Sequence, residues 1–591
     1  MANKILTKSD KFKSEYCCTV VKINEINPIK GKDRIGWTRI NGETIVVNKE
    51  QTKVGGIYLY ASNETQLNKD FLSANNLFES GCYELNSNAN EVEPFAMEVR
   101  RYKNEIDKCE EKFKVVTGYI KFLNDEYEQT LNDSDNDADK KIIEKRHQNI
   151  RDAIFKRFKD YHPSLSKDDD DAEFVNVCAD EVRKLEDTLD ALRAKRDEAA
   201  SLVRAKVGFF NKNCRVRAIK LGGISSQGYL FSIDELAKYN SKVKDVNLEE
   251  MLNEDFDTVD GEIFVKAYIP PMPQQSRRKT HSEKRNKKIE RFNRMIKGEF
   301  LFHYDTDPLK KNISKISPED VVTLSVKVHG TSACFANVHV KYPIKLPVVQ
   351  RLRNWLIDKT SLFKNYRIKD YYVDYGNVSS SRNTIKNAYI NENAVNGGFY
   401  KVDIWTEYGE RLYPYLDKGM TVYGEIVGYV TGSESMIQKN YDYGCEVGTN
   451  KFMPYRITTT NEDGTKREWE VQEVYDWTIN LIENHPEIKE YIMPITILYH
   501  GTLSDLYPKV SLTEHWHENI VEALVNDKKH LGMEKDEPMC TFNKVPREGI
   551  CVRIDNDPIA ECFKLKTEKF KWREQKLIDE GEVDAEMMQA Y

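Results

Sequence analysis

One lysine, Lys327, stands at the end of a β-branched, apolar run and three residues before a glycine, and this arrangement constrains the chain more than any other stretch. Val321, Val322, Leu324, Val326 and Val328 have the content of one strand, and Phe335, Val338 and Val340 that of the next. Between them lies Lys327-Val328-His329-Gly330-Thr331-Ser332. Gly330 carries no Cβ and lets the backbone turn closely beside whatever Lys327 touches. A lysine emerging there can face a phosphate with little steric cover. Taken alone, the same residues would also suit a surface lysine on a hairpin.

At 591 residues the chain is too long for one core, and roughly three or four domains are expected. Residues 14–67 read as short strands with turns at Gly31-Lys32-Asp33-Arg34 and Gly55-Gly56, the pattern of a small barrel. The pattern resumes at Cys214–Leu221 and Ser226-Gln227-Gly228-Tyr229. The expected organisation is a barrel-like module in two parts, 1–92 and 207–235, around a helical insertion over 93–206. A connector over 236–298 and a larger α+β unit of antiparallel sheets and helices over 299–591 follow.

In the insertion, Val99, Tyr102, Ile106, Phe113, Val116 and Ile120 recur at near-helical spacing, as do Leu185, Leu189 and Leu192. An antiparallel coiled-coil hairpin is expected, because both ends must return to one module. It could be an arm for a protein partner or for self-association, or a tolerated surface insertion. Asp133, Asp135, Asp137, Asp139 and Glu144 fall at calcium-loop spacing, but Ala138 occupies the glycine position, so a solvated acidic loop is expected there and at Asp168–Asp171.

The net charge of −7 excludes a protein that is polybasic overall, so any nucleic-acid surface must be local. One candidate is the basic run from Arg277 to Lys297, and another the basic, aromatic stretch from Lys341 to Tyr375. The 11 cysteines show no zinc spacing, and with no apolar signal core or membrane-length run a cytoplasmic protein with reduced thiols is expected. His515-Trp516-His517-Glu518 lacks a second cluster to complete a metal site and reads as structural.

Downstream of Lys327 come Ser381-Arg382-Asn383, Tyr423-Gly424-Glu425-Ile426-Val427-Gly428, Phe452-Met453-Pro454-Tyr455-Arg456-Ile457, Glu548-Gly549-Ile550-Cys551-Val552-Arg553 and Lys564-Leu565-Lys566. This ordered set resembles the covalent nucleotidyltransferases, the superfamily of ATP-dependent ligases and mRNA capping enzymes. Lys-x-His-Gly-Thr-Ser is most similar to the RNA ligase 2 type. Gly31-Lys32-Asp33-Arg34-Ile35 and Lys53-Val54-Gly55 resemble the N-terminal OB-like domain of Deinococcus-type RNA ligases. Most ATP-dependent DNA ligases and capping enzymes carry their barrel after the last lysine motif, where only Thr567–Tyr591 remain here.

The resemblance implies an ATP-dependent RNA ligase that joins a 3′-hydroxyl to a 5′-phosphate, as in repair of RNA nicks. Lys327 would carry AMP, and Arg382 would hold the polynucleotide end or the phosphate. Glu425 would accept from the ribose hydroxyls, and Tyr455, or Phe452, would stack on adenine. Lys564 and Lys566 would stabilise phosphate charge, Glu548 would organise Mg2+ (or Mn2+) through water, and His329 would act after the first step. Val326, just before the lysine, departs from the polar residue common in relatives. The front module is expected to serve end joining rather than lysine chemistry. The competing readings are a DNA ligase or capping-type transferase, and a nucleic-acid-binding protein with a degenerate core.

Overall fold

The structure is a computed structural model that describes residues 5–9, 16–133, 136–160, 162–269, 292–303, 306–360, 366–390, 400, 402–511, 516–527, 531–533, 535–542, 545–555 and 561–580. Most of the basic run, from Arg277 to Arg291, lies outside these residues, as do Asp135, Phe363 and His515. Of that run, Arg294 folds back onto the large unit. Its amide donates to Ala388 O (3.0 Å), and burial lowers the pKa of its guanidinium.

The first strands are β1 (Cys18–Lys22), β2 (Lys32–Ile40), β3 (Glu43–Asn48) and β4 (Ile57–Ala61). Between β4 and the returning strands lies the insertion, with α1 (Ala89–Lys121), α2 (Asp137–Phe158) and α3 (Asp171–Arg204). The chain then returns as β5 (Tyr229–Phe231) and β6 (Asp255–Phe256). One sheet has the order β5-β4-β1-β6, and in a separate sheet β2 pairs with Asn27–Ile29 on one side and β3 on the other. Among the described residues the strands form several small sheets, not a closed barrel.

The connector expected over 236–298 begins inside this module. Asp255–Phe256 pairs with Cys18–Thr19, and Val265–Ala267 with Thr65–Leu67. Leu236, Val243, Phe256 and Phe264 share the core of Val20, Leu59, Phe71, Phe78 and Phe231. Strands of two or three residues are too short to carry a period-two signal, so the sequence pattern passes over them.

In the insertion α1 and α3 run antiparallel. Cys109 meets Leu185 O, Glu110 pairs with Arg193 (3.0 Å) and Glu91 with Lys206 (3.2 Å). The insertion is more than a two-helix hairpin, for Ile154 and Phe158 of α2 join Ile106, Val116, Phe174, Cys178 and Leu185 in a core of its own. The acidic stretches are not merely solvated. Asn136 caps α2, with Asp137 and Asp139 in its first turn, where carboxylates suit the positive helix end. Asp170 caps α3, and Asp171 is paired with Arg151 and with His147 (2.8 Å).

The large unit contains β7 (Val321–Lys327), β8 (Thr331–Pro343), α4 (Val348–Thr360), β9 (Tyr371–Ser381), α5 (Ile404–Leu412), β10 (Met420–Gly428), β11 (Asn450–Thr460) and β12 (Lys466–Glu468). It continues with α6 (Val471–Asn484), β13 (Ile497–Thr502), β14 (Gly549–Ile554), β15 (Cys562–Lys566) and α7 (Glu568–Asp579). One five-stranded sheet has the order β9-β8-β10-β11-β12 and is antiparallel throughout. The other has the order Asp307–Pro308, β15, β14, β7, β13, with only the Asp307–Pro308 edge parallel. The chain is thus mixed α+β. One large sheet packs Val322, Leu324, Ile550, Val552 and Leu565 into a core, and the other packs Phe335, Val422, Ile426 and Phe452 on one face and Cys334, Ala336, Val338 and Tyr423 on the other. No helix among the described residues is long and apolar enough to cross a membrane.

The front module meets the large unit through α7. Arg215, its side chain 1% exposed, bridges Glu64 (2.7 Å) and Asp579 (2.9 Å). Gln575 accepts from Ala218 N (2.7 Å) and donates to Ala218 O (2.9 Å). Glu43 pairs with Lys571 (2.7 Å) and Lys310 (2.9 Å). Burial opposes ionisation of Glu43, but the two ammonium groups outweigh it and lower its pKa from the ordinary 4.5 to about 2.

Two outcomes are expected. Replacing residues 101–197 with a short Gly-Ser link should shift the melting temperature of the remainder by less than about 4 °C, because the insertion's core is its own. Calorimetry of the shortened protein checks this. Glu43→Gln should cost roughly 1–3 kcal/mol near neutral pH. A depressed carboxyl stabilises fully above its unfolded pKa of 4.5 and loses that contribution as pH falls toward about 2. The gap between wild type and variant should therefore close on acidification. A gap that persists unchanged at about pH 3 would rule out the ion pair as its cause.

Candidate active site

Lys327 is the last residue of β7, and its position follows from strand register. Lys327 pairs with Gly549, which pairs with Lys566, while Ser325 pairs with Cys551, which pairs with Lys564. Residues paired directly across a sheet share a face. Lys327, Cys551, Lys564 and Lys566 therefore share the face opposite the Leu324–Val552–Leu565 core. Gly549, between the two lysines, admits no side chain, because a Cβ there would stand 2.1 Å from Leu565 O. Val326 lies on the other face and is buried, which accounts for its apolar character.

Glu548 precedes β14 and is 1% exposed. Its Oε1 is 2.7 Å from Lys327 Nζ and 3.5 Å from Lys566 Nζ, and its Oε2 is 3.6 Å from His329 Nδ1. Burial would raise the Glu548 pKa, but Lys327, Lys566 and then His329 reverse the effect and hold it well below the usual carboxylate range. Both Glu574 oxygens lie 3.2 Å from Lys566 Nζ.

The loop after Lys327 is fixed from several sides. His329 N donates to Tyr443 Oη (2.8 Å), Gln438 donates to Gly330 O (2.8 Å), and Trp405 Nε1 donates to Ser332 O (3.0 Å). The His329 ring lies edge-on to Tyr441 and to Phe570, each 4.9 Å away. At Gly330 a Cβ would approach Ile426 O to 2.5 Å, so glycine is what lets this loop sit against β10.

The second large sheet turns a mixed face toward the first, on which Glu425 and Tyr455 lie among the buried Tyr423, Val427 and Met453. Glu425 pairs with Ser332 on one side and Met453 on the other. The register shifts between Tyr423 and Gly424, opposite Tyr455. Tyr455 is half-buried, with its hydroxyl 3.2 Å from His303 Nδ1. Burial, then the neighbouring Glu425 carboxylate, raises the Tyr455 pKa well above its ordinary value. Arg553 of β14 reaches Glu468 of β12 (3.8 Å), which also holds Arg456 (2.6 Å), so the two sheets are tied by charge at this edge.

Of the expected residues, the structure gathers Lys327, His329, Glu548 and Lys566 into one charged cluster. Lys564 lies on the same face, and Glu425 and Tyr455 lie on the facing sheet. Arg382 directly follows Ser381, which pairs with Ala333 beside Ser332. Phe452 is fully buried on the opposite face, edge-on to Phe335 at 4.9 Å, so it cannot be the stacking ring. Sequence reading missed His303, Tyr441, Phe570 and Glu574. The last two follow Lys566 on α7 at the i, i+4 spacing that places side chains together, which was the available signal.

Elsewhere, α4 turns Val348, Val349, Leu352, Trp355 and Leu356 outward, and Tyr342 stacks on Tyr372 at 5.2 Å. His517 packs on Trp516 (4.0 Å). No group of three or more His, Cys, Asp or Glu suited to a metal occurs among the described residues.

No family model matches the chain, and no curated protein matches it. Among solved structures it is similar to a Naegleria gruberi RNA ligase with PPi, at 14% identity and a TM-score of 0.41, over 95% of this chain and 99% of that one. A mutant of the same ligase with AMP and Mn aligns at 13% identity and a TM-score of 0.42, over 94% and 98% of the two chains. Another mutant, with ATP and Mn, aligns at 12% and 0.42, over 95% and 98%.

Proposed function

We propose that this protein is an ATP-dependent RNA ligase that works through a lysyl-AMP intermediate. The observation that carries the reading is the Lys327 amine, 2.7 Å from the buried Glu548 carboxylate and flanked by Lys566. A lone surface lysine needs no such surroundings. Here a nucleophile, a buried acid and a second cation converge beneath a facing wall that carries Glu425 and Tyr455.

Lys327 must lose a proton before it attacks. Its nitrogen then bonds to the α-phosphorus of ATP and pyrophosphate leaves. In the second step a 5′-phosphate oxygen attacks that phosphorus, the P–N bond breaks, and the lysine regains its proton. In the third, a 3′-hydroxyl attacks the 5′-phosphate, loses its proton, and AMP leaves. Lys564 and Lys566 would stabilise phosphate charge as it develops, and positioning supplies much of the rest. Tyr455 would stack on adenine, Glu425 would accept from the ribose, and Arg382 would hold the incoming end. His329, held by its aromatic neighbours, would act after lysyl-AMP forms.

The Glu548 side chain suits a hard divalent cation. Its Oε2 is buried and makes no hydrogen bond among the described residues, and oxygen is the ligand such ions prefer. Among the described residues no three-ligand acidic group adjoins Glu548, so the ion would be held through water and substrate phosphate. Bound there, Mg2+ or Mn2+ would neutralise phosphate oxygens and draw the Glu548 charge away from Lys327. The natural substrate under this reading is an RNA or RNA-containing duplex with 5′-phosphate and 3′-hydroxyl ends, with nick repair as its use.

Incubation with α-labelled ATP and magnesium should leave label on the protein, with peptide mapping placing it on Lys327 and none in Lys327→Ala. Label from GTP instead would reassign the protein to the capping type. Glu548→Ala and Lys566→Ala should each reduce sealing of a nicked duplex by about a hundredfold or more, since each acts on charge at the reacting phosphate. Wild-type rates in either would refute the assignment. A ribonucleotide at the 3′ side of the nick should be sealed faster than a deoxyribonucleotide, and equal rates would favour a DNA ligase.

A further inference from the structure

The front module was expected to stand apart from the lysine chemistry, but α7 joins the two. One stripe of this helix, Phe570 and Glu574, faces the site: Phe570 lies against the His329 ring (4.9 Å), and Glu574 holds Lys566 with both oxygens (3.2 Å). A second stripe, Lys571, Gln575 and Asp579, faces the front module and is held by Glu43, Ala218 and Arg215. Residues four apart lie one above another on a helix, so a shift of α7 moves both stripes together. Hydrogen bonds are short and directional, and the pair on Ala218 and the single Arg215 bond to Asp579, from a guanidinium forked onto Glu64, hold the helix at two points of the second stripe.

Lys566 stands between two carboxylates, Glu548 at 3.5 Å and Glu574 at 3.2 Å. If Glu574 withdrew, Lys566 would swing toward Glu548 and compete with Lys327 for it. We propose that Glu574 is a positioning residue that holds Lys566 for the reacting phosphate, and that the front module sets Glu574 through α7. This rests on the lysyl-AMP reading given above.

The test is single-turnover transfer of labelled AMP to the full-length protein over a range of ATP concentrations, with thermal melting as a check on folding. Glu574→Ala should slow transfer at saturating ATP by about tenfold or more, the scale of a misplaced reacting group. Half-saturation by ATP should move far less, because the loss lies in the chemical step. Glu574→Gln, which keeps one acceptor for Lys566, should recover part of the rate. Asp579→Ala should slow transfer in the same way, and adding it to Glu574→Ala should cost less than about a further twofold, because both act along one route. If Asp579→Ala does not fold, Asp579→Asn preserves the volume and takes its place. Multiplying effects in the double variant, or a wild-type rate in Glu574→Ala, would overturn the proposal. A wild-type protein that forms no adduct would overturn the ligase reading itself, and the proposal with it.

Discussion

Burying a carboxylate in a protein interior is unfavourable unless cations stand close beside it. Glu548 is 1% exposed, and much of the surrounding architecture can be read as the way its charge is met. The register of three strands brings Lys327 and Lys566 to either side of Gly549. The aromatic clamp of Tyr441 and Phe570 turns His329 toward the other oxygen. Removing one of these cations would leave a buried charge poorly compensated, so the same contacts serve folding and chemistry.

Alternation along the strands then decides which residues face that charge. Lys327 and Val326 are neighbours in sequence, yet one enters the cluster and the other the core. Tyr455 and Phe452 are three apart, and the strand sends them to opposite faces, one toward Glu425 and the other against Phe335. Glu425 and Tyr455 therefore stand on the sheet facing the one that carries Lys327, Lys564 and Lys566.

These facts also explain what could be read from the sequence. The strands around Lys327 are long and apolar on one face, so their pattern was visible, and Lys327, Glu425, Tyr455, Lys564 and Lys566 fall within strands, with His329, Arg382 and Glu548 next to strand ends. Phe452 was misjudged because a list of aromatics does not reveal which face each takes. The residues from 236 to 267 were read as connector because their strands are two or three residues long. Asp170 and Asp171 looked like solvated charge until their partners, a helix end and Arg151, were in place. Arg215 and Asp579 are 364 positions apart, and nothing local in either stretch announces the other.

That distance bears on how the molecule comes into being. Ribosomes release a chain from its N-terminus, so the front module and β7 emerge long before α7. Gln575 meets Ala218 across 357 positions, and Lys571 meets Glu43 across 528. Contacts so remote in sequence form late and slowly. Lys327 is made before Glu548 and Lys566, and these in turn before α7, whose Glu574 pairs with Lys566. A nascent chain therefore carries Lys327 before the groups that flank it, and under the proposed reading the site is complete only once α7 has docked.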